Sequence, residues 1–140
     1  MDWTPRVGEV VPYSFVWAHE SELGEDSGRK LRPCVIVIAV QRIDDETWRV
    51  AVAPITTRDS PDRALVVLPS TIKRHLGLDE RPSWIVCDEL NHFEWPGFDL
   101  GVTPARKRSY GMVPPSLLKT VQVAIVTARR RGALKITNRD

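Results

Sequence analysis

At 140 residues the chain is one domain's worth on a prior of ~150 residues per domain, and long enough to bury roughly two thirds of its unfolded surface. Lys and Arg number 20 against 18 Asp and Glu, a formal charge of +2 that excludes the strong basicity of a protein committed to nucleic acid by charge alone. A hydrophobic fraction of 42% with 27% charged residues is that of a globular protein, and no apolar stretch approaches the ~20 residues that span a bilayer.

Met1 to Pro5 does not read as a signal peptide, so a single cytoplasmic domain over residues 1–140, with no membrane partner, is expected. Gly8 to Trp17 then alternates, placing Val11, Tyr13, Phe15 and Trp17 on one face of a half-buried strand, with Pro12 marking an edge or a bulge. Ala18 to Leu31 carries His19, Glu20, Glu22, Gly24, Glu25, Asp26 and Gly28 with few apolar anchors and reads as a loop.

Arg32-Pro33 opens the apolar run Cys34 to Val40, rich in β-branched residues, which reads as a strand buried on both faces and the centre of one core. Proline lacks a backbone donor and is best tolerated at a strand's first residue, so Arg32 falls at a strand mouth, where a charge reaches solvent or a ligand from a rigid support. Asp44-Asp45 makes a polar turn, and Trp48 to Ala53 returns as the second strand of a hairpin that closes on Pro54-Ile55-Thr56-Thr57.

After a charged loop from Arg58 to Asp62, Ala64 to Leu68 reads as a fourth strand and Ser70, as N-cap, begins a short helix through Leu76 that Gly77 stops. Ser83 to Cys87 is a fifth strand running into Asp88-Glu89-Leu90-Asn91-His92. Pro96 to Pro114 reads as irregular. From Pro115 to about Arg131, Leu117, Val121, Ile125 and Ala128 make one apolar stripe of a helix, ended by Gly132, and Ala133 to Asp140 reads as a polar tail. Cys34 and Cys87 lie inside apolar runs without CxxC or Cys/His spacing, which predicts free buried thiols and no metal site or other cofactor. These elements predict a mainly β (α+β) architecture, an SH3-like small barrel of five to seven antiparallel strands with a short helix and a C-terminal amphipathic helix.

In order, Gly8-Glu9-Val10-Val11, the acidic loop from His19-Glu20 to Gly28, Arg32-Pro33 with its strand, Ala53-Pro54-Ile55-Thr56-Thr57 and Val86-Cys87-Asp88-Glu89 resemble the PemK/MazF family of toxins from type II toxin-antitoxin pairs. The resemblance covers most of Gly8 to Glu94 and implies an SH3-like homodimer that cleaves single-stranded RNA without metal, as a growth inhibitor held in check by an antitoxin whose tail occupies the RNA groove. Glu20, Glu22 and Glu25 compete for the family's loop glutamate. Where some members carry an arginine two residues before the strand-end aspartate this chain has Val86, and Asn91 stands at the place of the arginine that follows.

Metal-free RNA cleavage needs a base for the 2′-hydroxyl, an acid for the leaving oxygen and a fixed positive charge for the developing phosphorane. Arg32 suits the charge, against the alternative of a structural ion pair with a loop glutamate. Asp88 and His19 suit proton transfer, against a turn former and an exposed bystander. Thr56 and the neighbouring Thr57 offer hydroxyls to phosphate, against a turn-capping role. His92 is read as a substitute acid or base near Asp88, and His75 as solvated surface. Trp17, Phe93 and Trp95 are candidates to stack bases, with core packing as the alternative, and Trp3, Trp48 and Trp84 are read as core or interface. Arg106-Lys107-Arg108 and Arg129-Arg130-Arg131 offer further backbone contacts, the second run also suiting a helix C-terminus. Two rivals follow: a non-catalytic nucleic-acid or protein binding module of the same fold, and a gyrase-directed toxin with a similar barrel.

Overall fold

The computed structural model describes residues 3–22, 30–44 and 46–140, the side chains of Ser21 and Glu22 excepted. Gly24, Glu25, Asp26 and Gly28 of the acidic loop, and Asp45 of the hairpin turn, lie outside the described residues. The elements are β1 (Glu9–Tyr13), α1 (Ala18–Glu22), β2 (Arg32–Gln41), β3 (Trp48–Thr56), β4 (Leu65–Val67), α2 (Ser70–His75), β5 (Trp84–Val86), β6 (Glu89–Trp95), β7 (Gly111–Met112), α3 (Pro115–Arg130) and β8 (Lys135–Asn138).

The strands form one mainly antiparallel sheet in the order β4-β5-β3-β2-β1-β7, with β6 also on β3 and β8 added parallel to β6. The sheet is open, which corrects the expected closed barrel. Closure needs a staggered ladder between the outermost strands, and β4 and β7, of three and two residues, have no pairing with each other. Other expectations change as well: among the described residues eight strands stand where five to seven were expected, and β7 lies in the segment read as irregular. The start of the acidic loop is helical as α1, and the polar tail supplies β8, whose Ile136 and Thr137 pair with Leu90 and Asn91. Pro69 rather than Ser70 is the cap residue of α2, without a side-chain hydrogen bond.

β3 organises the sheet. Along one edge it pairs with β2, and along the other with β6 over Trp48 to Val52 and with β5 at Ile55 and Thr56. Between these two stretches the register breaks: Val52 faces Asn91 and Ile55 faces Ile85, so three steps on β3 oppose six on its partner. The surplus residues bulge out at Cys87 and Asp88, and Cys87 N–H donates to Ala64 O at 2.7 Å. A smaller bulge at Val37 shifts β2 against β3.

Apolar side chains gather in two clusters, one on each face of the sheet, where a single core was expected. Val10, Val35, Val37, Ile85, Leu90 and the α3 stripe Leu117, Val121 and Ile125 fill one; Val11, Tyr13, Cys34, Ile36, Val52, Phe93 and Trp95 fill the other. The period-2 rule explains the split, because consecutive residues of β1 and β2 face opposite ways. Tyr13 and Phe93 stack at 4.6 Å, and Trp95 Nε1–H donates to Trp3 O at 2.7 Å, so Phe93 and Trp95 are core residues and not a platform for bases. The exposure of Ile38 and Val40 limits the two-sided burial of β2 to its first half. Both cysteines are free and buried, and burial holds the Cys87 thiol up at about 12.

Ile85 is fully buried between β3 and β4, under α3's cluster. Ile85→Ala should lower stability by about 2–5 kcal/mol in urea unfolding monitored by tryptophan fluorescence, whereas Val126→Ala on the exposed side of α3 should change it by less than about 0.5 kcal/mol.

Candidate functional site

The mouth of β2, the end of β3, the start of β4 and the turn into α1 surround an open cleft of about 650 Å³. Its lining includes Lys30, Arg32, Arg58, Arg63 and Arg81 together with His19, and no carboxylate among the described lining residues. Trp17, Pro33, Ile55, Leu65 and Val86 form its apolar part, and Thr56, Thr57 and Ser60 supply hydroxyls. Five cations without an acid among the described lining residues, Arg63 and Arg81 being paired with carboxylates outside the lining, make a concave surface suited to a polyanion.

Trp17 is the pivot of the cleft, and its backbone is pinned on both sides. Val16 N–H donates to Asn91 Oδ1 at 2.9 Å while Asn91 Nδ2 donates to Val16 O at 2.8 Å, so a buried side-chain amide completes what a neighbouring strand would otherwise provide. Trp17 N–H donates to Glu20 Oε1 at 2.9 Å, the returning half of a capping box at the start of α1. Ala18 N–H donates to Glu89 Oε1 at 2.7 Å. Three successive donors are thus satisfied by three side chains, two of them delivered by β6 from the far side of the register break.

Against the indole ring lie two guanidinium groups, Arg32 with its Cζ 5.3 Å from the ring centroid and Arg63 at 5.2 Å. Arg32 Nε is buried and has no hydrogen-bond partner among the described residues. Arg63 is tied on one side: Nε and Nη2 donate to Asp88 Oδ1 at 3.2 and 2.7 Å, and Nη2 donates to Glu89 Oε2 at 2.5 Å. Burial favours its neutral form, but the hydrogen bonds to Asp88 and Glu89 outweigh this and hold its pKa above the ordinary arginine value.

Of the residues singled out from sequence, Arg32, His19, Thr56, Thr57 and Trp17 come together on this cleft. His19 is exposed at the rim, and Thr56 Oγ1 accepts from Arg58 N–H at 3.1 Å, a local turn contact that leaves the hydroxyl hydrogen free to point elsewhere. The others are placed differently. Asp88 lies outside the lining, with Oδ1 on Arg63 and Oδ2 accepting from Ala64 N–H at 3.2 Å, so the bulge directs it to Arg63. Glu20 caps α1, and the side chain of Glu22 lies outside the described residues, as does Glu25. Asn91 is an internal clamp, not a cleft residue.

His92 is likewise off the cleft lining. Two-residue periodicity along β6 separates it from Asn91's face, and its Nδ1 lies 2.8 Å from Arg49 Nη2 in a group completed by Asp140, which is ion-paired with Arg49 and accepts from Glu94 N–H at 2.9 Å. Arg108 lies over Trp3 at 5.0 Å, and neither basic triplet lines the cleft. Arg63 escaped the sequence reading: its only local signal is a position just before β4, and its partners are 25 and 26 residues further on.

A family model described as "PemK-like, MazF-like toxin of type II toxin-antitoxin system" matches residues 8–125. The chain belongs to this family of toxins. No curated protein matches the chain. Among the described residues no helix is long and apolar enough to cross a membrane, and no group of three or more His, Cys, Asp or Glu could hold a metal ion.

The Arg49–His92–Asp140 group sets a pH dependence. Desolvation and then the Arg49 charge hold the His92 pKa below its usual 6.5, against the opposing Asp140. Below pH about 6.5 the unfolded chain therefore binds a proton that the native chain resists, so stability present above that pH is lost as pH falls through the folded value. Thermal unfolding should show the midpoint falling between pH 7.5 and 5, with His92→Gln flattening that fall; an unchanged pH profile in the variant would assign it to other groups.

Proposed function

We propose that this chain is a toxin-type endoribonuclease that cleaves single-stranded RNA or mRNA without metal, inhibits growth, and is neutralised by a cognate antitoxin bound over the same cleft. The observation that carries the reading is Arg32: a permanent cation at a strand mouth, stacked on Trp17, in a cleft walled by cations, its buried Nε without a partner among the described residues. Its permanent charge on the cleft wall and the family membership both favour a phosphate oxygen as the partner of its guanidinium.

In this reading the 2′-oxygen attacks the adjacent phosphorus as a base removes its proton. The bond from phosphorus to the 5′-oxygen breaks, the departing oxygen gains a proton, and a 2′,3′-cyclic phosphate remains. Arg32 stabilises the charge that builds on the non-bridging oxygens, and Thr56 and Thr57 hold the phosphate from the opposite strand end. His19, exposed at the rim, is the lining residue to which the proton transfer is assigned. Asp88 acts from behind, through Arg63, and not as the acid or base itself. Glu20 and Asn91 fix Trp17, and an open lining accommodates an unpaired strand. A homodimer acting in the cytoplasm completes the proposal by its family membership.

A second reading has its own observation. Val86 lies on the cleft wall and offers no proton or charge, as expected of a binding module of the same family that holds RNA or protein without cutting it.

Incubating the purified protein in EDTA with a long unstructured RNA of varied sequence, and mapping ends by primer extension, separates these. The ribonuclease reading predicts cuts at a short recurring motif with 2′,3′-cyclic ends, reduced about 100-fold or more by Arg32→Ala without a matching loss of thermal stability. Intact RNA that is nevertheless bound would support the second reading, and intact, unbound RNA would overturn the ribonuclease and the RNA-binding module together, leaving only the protein-binding form of the second reading.

A further inference from the structure

Arg63 is the least explained charge in the cleft. It arrives from the connection between β3 and β4, reaches the same indole ring as Arg32, and is fixed by two carboxylates that lie behind the wall. Its Nε and Nη2 are committed to Asp88 and Glu89, while Nη1 makes no hydrogen bond among the described residues and the residue lines the cleft. The side chains of Asp88 and Glu89 are only 14% and 10% exposed, so neither carboxylate competes at the surface for what approaches Nη1. A guanidinium anchored along one edge presents its remaining edge in one orientation, the arrangement that suits a tetrahedral anion more than a freely moving lysine would.

We propose that Arg63 is a second phosphate-binding residue of the cleft, holding a backbone phosphate of the bound strand through Nη1 while Arg32 holds another oxygen across Trp17. The assignment rests on the reading of the cleft as an RNA site. It supplies from the β3–β4 connection a cation that Val86 does not supply from β5. Asp88 and Glu89 are then positioning residues: they aim Arg63, and Glu89 couples that aim to Trp17 through Ala18 N–H.

Loss of Arg63 alone would leave two buried carboxylates without their counter-ion, so a structural role is separated by neutralising all three groups together. R63Q/D88N/E89Q keeps amides that hydrogen-bond to one another and to the N–H groups of Ala18 and Ala64. The probe is a short fluorescent single-stranded DNA, which lacks the 2′-hydroxyl that cleavage needs, titrated at several salt concentrations. The proposal predicts that the triple variant unfolds at a temperature close to wild type, yet the slope of log affinity against log salt flattens by about 0.7, the loss of one phosphate contact. R63K, which keeps the charge but not the fork, should retain the wild-type slope and bind about tenfold more weakly. Wild-type slope and affinity in both variants would overturn the proposal and make Arg63 a structural ion pair.

Cleavage of RNA by the wild type is measured in parallel. If RNA is cut but the DNA slope ignores Arg63, this inference fails while the ribonuclease stands. If RNA is not cut, the ribonuclease fails and the slope still decides whether Arg63 holds phosphate.

Discussion

Three consecutive backbone donors, at Val16, Trp17 and Ala18, each ending on a side-chain oxygen, are the constraint on which the cleft depends. A short link between a strand and a helix has no ladder of its own, and unpaired donors there would favour either solvent or a different path. Asn91, Glu20 and Glu89 remove that freedom. The indole is held where two arginines, one from the mouth of β2 and one from the β3–β4 connection, converge on it, so the arginines are placed by a residue that is itself placed from behind.

The clamp in turn needs the register break along β3. Were β5 and β6 one regular strand, alternation would continue through residues 86–91 and the side chains of Asp88, Glu89 and Asn91 would keep to their alternate faces. The surplus residues opposite β3 let Asp88 and Glu89 reach Arg63 together, while Asn91 still reaches Val16. Such a bulge costs ladder pairing. It is offset locally by the Cys87 bond to Ala64 and by the Asp88 bond to Ala64 N–H, which tie the bulge to the start of β4.

Charge is divided in the same way. The cleft presents cations to solvent and keeps the balancing carboxylates of Asp88 and Glu89 behind its wall, so a chain of formal charge +2 carries a concentrated positive site. Beyond the cleft, the buried side chain of Arg139 donates to Ser14 O and Asp99 and fastens this segment beside β1. Arg49 and Asp140 secure the same segment at β6.

Local pattern alone determined much of this. The β-branched run after Pro33 specified β2, the i, i+4 spacing from Leu117 to Ala128 specified the buried stripe of α3, and Pro33 placed Arg32 at a strand mouth; each rests on chemistry within a few residues. Thr56, Thr57, His19 and Trp17 were legible as site candidates for the same reason, since they flank recognisable strand ends. Tertiary structure decided the rest. The open edge of the sheet, the use of Lys135 to Asn138 as a strand, the burial of Phe93 and Trp95, and the turning of His92 toward Arg49 all depend on pairings between distant segments. Asp88 and Asn91 read as chemistry because a strand-end carboxylate and amide look alike whether they meet substrate or backbone. Only the register break, set by how β5 and β6 pack on β3, gave Asp88 to Arg63 and Asn91 to Val16.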